Sequence, residues 1–122
     1  MGFGIKVILD REIEEVRTII ASKNNDRLGA ENTMYFCMGL LQYRSEVVVN
    51  GSSERDYWDA PTPSEELQVL GFSLLEIDEI FSEIDHLIRK VMSSIGVHIT
   101  ARTQLLYFKT SRNNVELGIL AI

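Results

Sequence analysis

The chain has 122 residues, of which 45% are hydrophobic and 25% charged, and its formal net charge is −6 at pH 7. This size and composition are typical of one globular domain, which we place at residues 1–122, and they argue against a disordered chain. The negative charge opposes binding to nucleic-acid phosphates, because the 12 Lys and Arg residues are scattered along the sequence.

Membrane and secreted classes are also disfavoured. No segment approaches the roughly 18–20 apolar residues that a membrane span needs, and the apolar start lacks the features of a signal peptide. Cys37 is the only cysteine, so an internal disulfide is excluded, which fits a reducing compartment. We therefore expect a cytoplasmic protein without a membrane anchor, and no motif indicates a cofactor.

The first elements in chain order are a strand and a helix. The segment GIKVIL (4–9) alternates weakly and predicts a short strand. Residues 10–23 predict a helix with acidic residues in its first turn, where the helix dipole favours them. Its inner face consists of Ile13, Val16 and Ile20.

Residues 30–49 predict a second helix, which is apolar nearly all round from Met34 to Leu41. A helix without a polar face is expected at the centre of the fold. Gly39 lowers helix propensity, and it would be tolerated if another backbone packs closely there. The last four residues, EVVV (46–49), are compatible with either helix or strand, because β-branched residues weaken helix propensity.

Two capping boxes predict the starts of two further helices. Thr62 and Glu65 flank a proline at the first helical position and open a short helix. Ser73 and Glu76 repeat the pattern and open a long helix that ends at Gly96.

The C-terminal residues, 97–122, are β in character. The RNN turn at 112–114 separates two apolar runs and predicts an antiparallel hairpin, to which the strand at 4–9 adds a third member. The predicted fold class is α+β: a four-helix layer, with two longer central helices, on a small antiparallel sheet. The apolar end of the chain is either tucked into the fold or an edge strand that pairs with another chain. We expect a homo-oligomer, formed in the second case through this strand.

One candidate site is the outer side of the long helix. At about 100° per residue, Glu76, Glu79 and Glu83 share an acidic side opposite the apolar one, where they are expected to dock a basic surface of a partner. Glu83 and His86 have the spacing of di-iron ligands, but a single copy on an exposed side predicts no metal site. On the same helix, Asp85 is expected to pair with Arg89.

A second candidate is the charged loop before Thr62, which contains Arg55, Tyr57 and Trp58. Residues of these three types are enriched in the hot spots of protein interfaces. Two interpretations of Trp58 remain: it folds back and anchors the loop, or the loop presents it to a partner. We favour the anchor, with Arg55 and Tyr57 facing the partner.

A third candidate is the segment HITARTQ (98–104), which we interpret as a strand. Alternation then places four polar side chains on one face, where they are suited to bind an anion or a nucleotide phosphate. These residues are His98, Thr100, Arg102 and Gln104.

The leading functional hypothesis is a non-enzymatic protein–protein interaction module with a basic partner, in one form an inhibitor of the immunity or anti-defence kind. One alternative is a small-molecule or nucleotide binder that uses the His98, Thr100 and Arg102 face. Another is a small enzyme whose site spans an oligomer interface and combines His98, Tyr107 and Glu116. Under the leading hypothesis, no residue has a catalytic role.

Overall fold

The structure is a computed structural model that describes residues 3–23, 27–51 and 61–121. Within these ranges, four helices and three strands make an α+β fold, as predicted. In chain order they are β1 (Phe3–Leu9), α1 (Glu12–Lys23), α2 (Ala30–Asn50), α3 (Pro63–Val69), α4 (Leu74–Ser94), β2 (Gln104–Thr110) and β3 (Val115–Ala121).

The strands form an antiparallel sheet in the order β1-β3-β2. The hairpin and the third, N-terminal strand are therefore confirmed. The C-terminal strand is central, with Ile119 opposite both Ile5 and Leu105. Because β3 is hydrogen-bonded on both sides, the first of the two alternatives holds: the strand lies inside the sheet, and its apolar character reflects its central position. The expected homo-oligomer stays a prediction.

One face of the sheet carries the core. The inward side chains of β1 and β3 are Val7, Leu9, Val115, Leu117 and Ile119. They belong to one cluster of buried residues that also includes side chains of all four helices or their ends. The predicted inner face of α1 is confirmed, since Ile13, Val16 and Ile20 are buried. The opposite face of the sheet is open to solvent.

The EVVV segment, which the sequence left open, is helical. α2 continues to Asn50 and ends at Gly51, which has φ 78° and donates its N–H to the carbonyl of Val47 at 2.7 Å. Val48 and Val49 are buried, so packing outweighs their weak helix propensity.

Both predicted capping boxes are present. The Thr62 hydroxyl accepts from the Glu65 N–H at 3.3 Å, and the Ser73 hydroxyl accepts from the Glu76 N–H at 3.1 Å. In each case the glutamate accepts the N-cap N–H in return. α4 ends at Ser94, and Gly96 follows with φ 84°, as its sequence predicts.

The expectation of a strand at 98–104 is wrong, because β2 begins only at Gln104. Hydroxyl groups hold the preceding residues in a turn. The Thr103 hydroxyl accepts from the N–H of Thr100 at 3.0 Å and donates to the carbonyl of His98 at 3.1 Å. The Thr100 hydroxyl accepts from the N–H of Arg102 at 3.2 Å. Threonine side chains thus replace the strand partners of this backbone.

Candidate functional site

The predicted acidic side of α4 does face solvent, but its charges are partly engaged. Glu79 accepts from the Lys23 ammonium of α1 at 2.6 Å. The Glu76 carboxylate accepts the N-cap N–H of Ser73 at 3.0 Å, and this hydrogen bond lowers the pKa of Glu76. Glu83 is exposed. The acidic side is therefore less free to attract a basic partner than its composition suggests.

Asp85 does not make its predicted pair with Arg89. It binds Arg44 of α2 instead, with Nε 2.8 Å from Oδ1 and a second contact between Nη2 and Oδ2. The guanidinium carbon of Arg44 also lies 4.6 Å from the centre of the Phe81 ring. A two-point contact that is partly buried outcompetes an exposed pair within the helix.

A shallow hollow lies between α1 and α4, and Glu83 and His86, the pair with the spacing of di-iron ligands, both line it. Its volume is about 490 Å³, and its polar lining includes Glu15, Glu83, His86 and Lys90. Across the part of the chain that the structure describes, no three His, Cys, Asp or Glu side chains are grouped so that they could hold a metal ion.

Two of the predicted sites are not supported as binding surfaces by the structure: the loop before Thr62 and the polar face at 98–104. Arg55, Tyr57 and Trp58 lie outside the described residues. The turn at 98–103 removes the alternation on which the proposed ligand-binding face depended. The four residues of that face, His98, Thr100, Arg102 and Gln104, are all exposed.

Tyr107 and Glu116, by contrast, are brought together on the open face of the sheet. The Tyr107 hydroxyl donates to Glu116 Oε2 at 3.2 Å, and Lys6 Nζ lies 3.3 Å from Oε1. Burial raises the pKa of Tyr107, as does its hydrogen bond to Glu116. Burial acts to raise the pKa of Glu116, but the contacts with Lys6 and Tyr107 outweigh it and lower that pKa. His98, the third residue of the predicted enzyme site, does not join this pair by a hydrogen bond in the described residues. It accepts from the Thr103 hydroxyl through its backbone carbonyl.

An apolar groove between α2 and α3 was missed by the sequence analysis. We call it the α2–α3 groove; its volume is about 590 Å³. α2 contributes one stripe, α3 and its C-cap contribute the facing wall, and two loop residues lie at the ends. The lining residues are Leu28, Asn32, Tyr35, Phe36, Gly39, Leu40, Pro61, Pro63, Glu66, Val69 and Leu70.

Both walls of the groove that the structure describes expose apolar side chains to solvent. Leu40 is buried, but Tyr35 is 59% exposed and Val69 is 87% exposed. Gly39 is part of the lining: a Cβ built there meets no atom of the described residues within 4 Å, so none of their backbones packs closely against this glycine. The available signal was the aromatic flank of α2 beside a helical glycine. Large exposed apolar side chains around a concave surface are typical of binding sites.

Comparisons with protein-family models, with curated proteins and with solved structures find no significant match to this chain. Among the helices in the described ranges, none is both long enough and apolar enough to cross a membrane. A functional proposal therefore depends on the geometry of the site.

Proposed function

We propose that the protein is a non-enzymatic interaction module that binds a partner protein through the α2–α3 groove. The observation that carries the proposal is the open apolar stripe itself. Tyr35 and Val69 expose most of their surface on opposite walls, and burying such side chains against a partner releases water from apolar surface. A cytoplasmic setting belongs to the proposal and is supported by the single, buried Cys37.

The geometry favours binding over catalysis at this position. The described lining contains one carboxylate, Glu66, and one phenol, Tyr35, beside an asparagine, a glycine and apolar side chains. Among the described residues no hydrogen bond joins Tyr35 to Glu66. General acid–base or nucleophilic catalysis needs a second group placed against the first. Apolar walls with few polar groups are instead the usual centre of a protein interface.

Gly39→Leu is the variant that tests the proposal most directly. Because a Cβ at Gly39 meets no atom of the described residues within 4 Å and the backbone there is helical, we expect a leucine side chain to project into the groove and fill part of it. Leucine also has the higher helix propensity, so this variant is expected to fold at least as well as the wild type. Any loss of binding then reports on the groove rather than on unfolding.

The assay is photocrosslinking in the native cell, with a photoreactive residue in place of Val69. A matched probe at the exposed Ser111, in the hairpin turn, serves as the control. We expect a discrete crosslinked partner from position 69 and none from position 111, and we expect Gly39→Leu to abolish it. Crosslinking that is unchanged in Gly39→Leu, or that is equal at the two positions, would refute the proposal.

A further inference from the structure

The one charged side chain among the described lining residues of the α2–α3 groove is acidic. It is Glu66 in the α3 wall, and Glu31 lies in the first turn of α2 beside the lining residue Asn32. Glu65, the neighbour of Glu66, already accepts the N-cap N–H of Thr62. The closest basic residue in sequence, Arg27, is engaged elsewhere, since its guanidinium carbon lies 4.1 Å from the centre of the Phe72 ring. Among the described lining residues there is no Lys or Arg.

The dimensions of the groove match a short helix. At about 1.5 Å per residue, the α2 wall from Asn32 to Leu40 is about 12 Å long, and the α3 wall from Pro63 to Leu70 is about 10 Å long. This length corresponds to about two helical turns. Amphipathic helices dock in such grooves through side chains at positions i, i+3, i+4 and i+7.

The walls also decide against the addition of a β-strand. Both are helices, whose interior N–H and C=O groups are already hydrogen-bonded to each other. An added strand needs free backbone partners, which these walls do not offer. A helix needs no such partners, because its backbone groups are hydrogen-bonded within the segment.

We propose that the α2–α3 groove binds an amphipathic helix of a partner protein, with its apolar side chains in the groove and its Lys or Arg side chains facing Glu66 and Glu31. This inference rests on the proposed function and specifies the chemistry of the partner. The apolar contacts provide the affinity, and the acidic rim selects basic over acidic helices.

Three labelled peptides test the inference by fluorescence anisotropy at physiological salt. The first carries Leu at i, i+3, i+4 and i+7 with Lys at the other positions. The second replaces each Lys by Glu, and the third keeps the Lys and Leu composition in an order without an apolar face. We expect the first peptide to bind at least about tenfold more tightly than either of the others.

Two charge reversals distinguish an effect of the acidic residues at the groove from an effect of the protein's net charge. Glu66→Lys and Glu83→Lys change the net charge equally, but Glu83 belongs to the hollow between α1 and α4 and not to the groove. We expect Glu66→Lys to weaken binding of the basic peptide about three- to tenfold, and Glu83→Lys to leave it within about twofold. Equal weakening by both reversals would overturn the inference.

Further outcomes distinguish this inference from the proposed function. If no peptide binds but position 69 still crosslinks a partner in a groove-dependent manner, the helix inference is wrong and the proposed function stands. If crosslinking fails as well, both are wrong. Two other occupants of the groove have their own signatures.

A second copy of the chain is the occupant if the molecular mass doubles with rising concentration and this doubling is lost in Gly39→Leu. The chain's own segment is the occupant if Gly39→Leu, without peptide, shifts the fluorescence emission of Trp58, the only tryptophan. Either result overturns the inference.

Discussion

We predict that Gly118→Ala destabilises the protein when Tyr107 is present and stabilises it when Tyr107 is replaced by alanine. The residue lies in the middle of β3, opposite Tyr107 on β2 and Lys6 on β1. The Tyr107 ring lies across it: a Cβ built at Gly118 is 2.7 Å from the ring's Cζ and closer still to Cε1 and Cδ1. Alanine therefore forces the ring away from the sheet, and with it the hydroxyl that donates to Glu116.

The expected magnitude follows from two opposing terms. Replacing a glycine within a strand by alanine stabilises by about 0.5–1 kcal/mol, because the unfolded chain loses backbone freedom. Displacing a packed side chain costs about 1–3 kcal/mol. We expect Gly118→Ala to destabilise the wild type by about 1 kcal/mol. When Tyr107 is first changed to Ala, only the favourable term remains, and Gly118→Ala should stabilise by about 0.5 kcal/mol.

Urea unfolding of the four proteins of this double-mutant cycle, followed by circular dichroism, measures both effects. Gly4→Ala is the matched control, since Gly4 also lies in a strand of the sheet and a Cβ there meets no atom within 4 Å in the described part of the chain. It should stabilise slightly in the presence of Tyr107. The reasoning is refuted if Gly118→Ala has the same sign in both backgrounds, or if the coupling is below about 0.5 kcal/mol.

Three further predictions concern single residues. Asp85→Asn should lower the free energy of unfolding by about 1–3 kcal/mol, because it leaves Arg44 without its partly buried partner, whereas Arg89→Met should change it by less than about 0.5 kcal/mol. The lowered pKa of Glu76 means that its contribution is complete above the ordinary carboxyl pKa and is lost as pH falls through the lowered value. Glu76→Gln should therefore flatten the decline of stability in acid, and an unchanged profile would contradict this cause. Burial raises the pKa of Cys37 to about 12, so a thiol reagent should label it only on unfolding; rapid labelling of the native protein would contradict its burial.

Local patterns predicted much of the fold. The two capping boxes appear where Thr62 and Ser73 indicate them, and the apolar spacing of α4 buries Ile80, Ile84 and Ile88. These features depend on residues three or four positions apart, so their physics is contained in a short stretch of sequence. The α+β class follows from the same local evidence.

Two predictions were wrong because the deciding partner is not encoded by spacing. Thr100 and Thr103 have high strand propensity, yet their hydroxyls bind nearby backbone groups and hold a turn. Asp85 has Arg89 one turn away, but packing of α4 against α2 brings Arg44 into two-point contact. In both cases the sequence offers two partners, and only the folded backbone determines which one is in reach.

The α2–α3 groove shows most clearly which properties the sequence determined and which only the tertiary structure decided. The sequence by itself determined that α2 is apolar nearly all round from Met34 to Leu41 and that a short helix, α3, begins at Pro63. It could not determine how much of α2 the other elements cover. The tertiary structure leaves Tyr35 exposed beside Gly39 and opposite Val69, and so creates the α2–α3 groove. Apolar character is a property of a residue, whereas burial is a property of what packs against it.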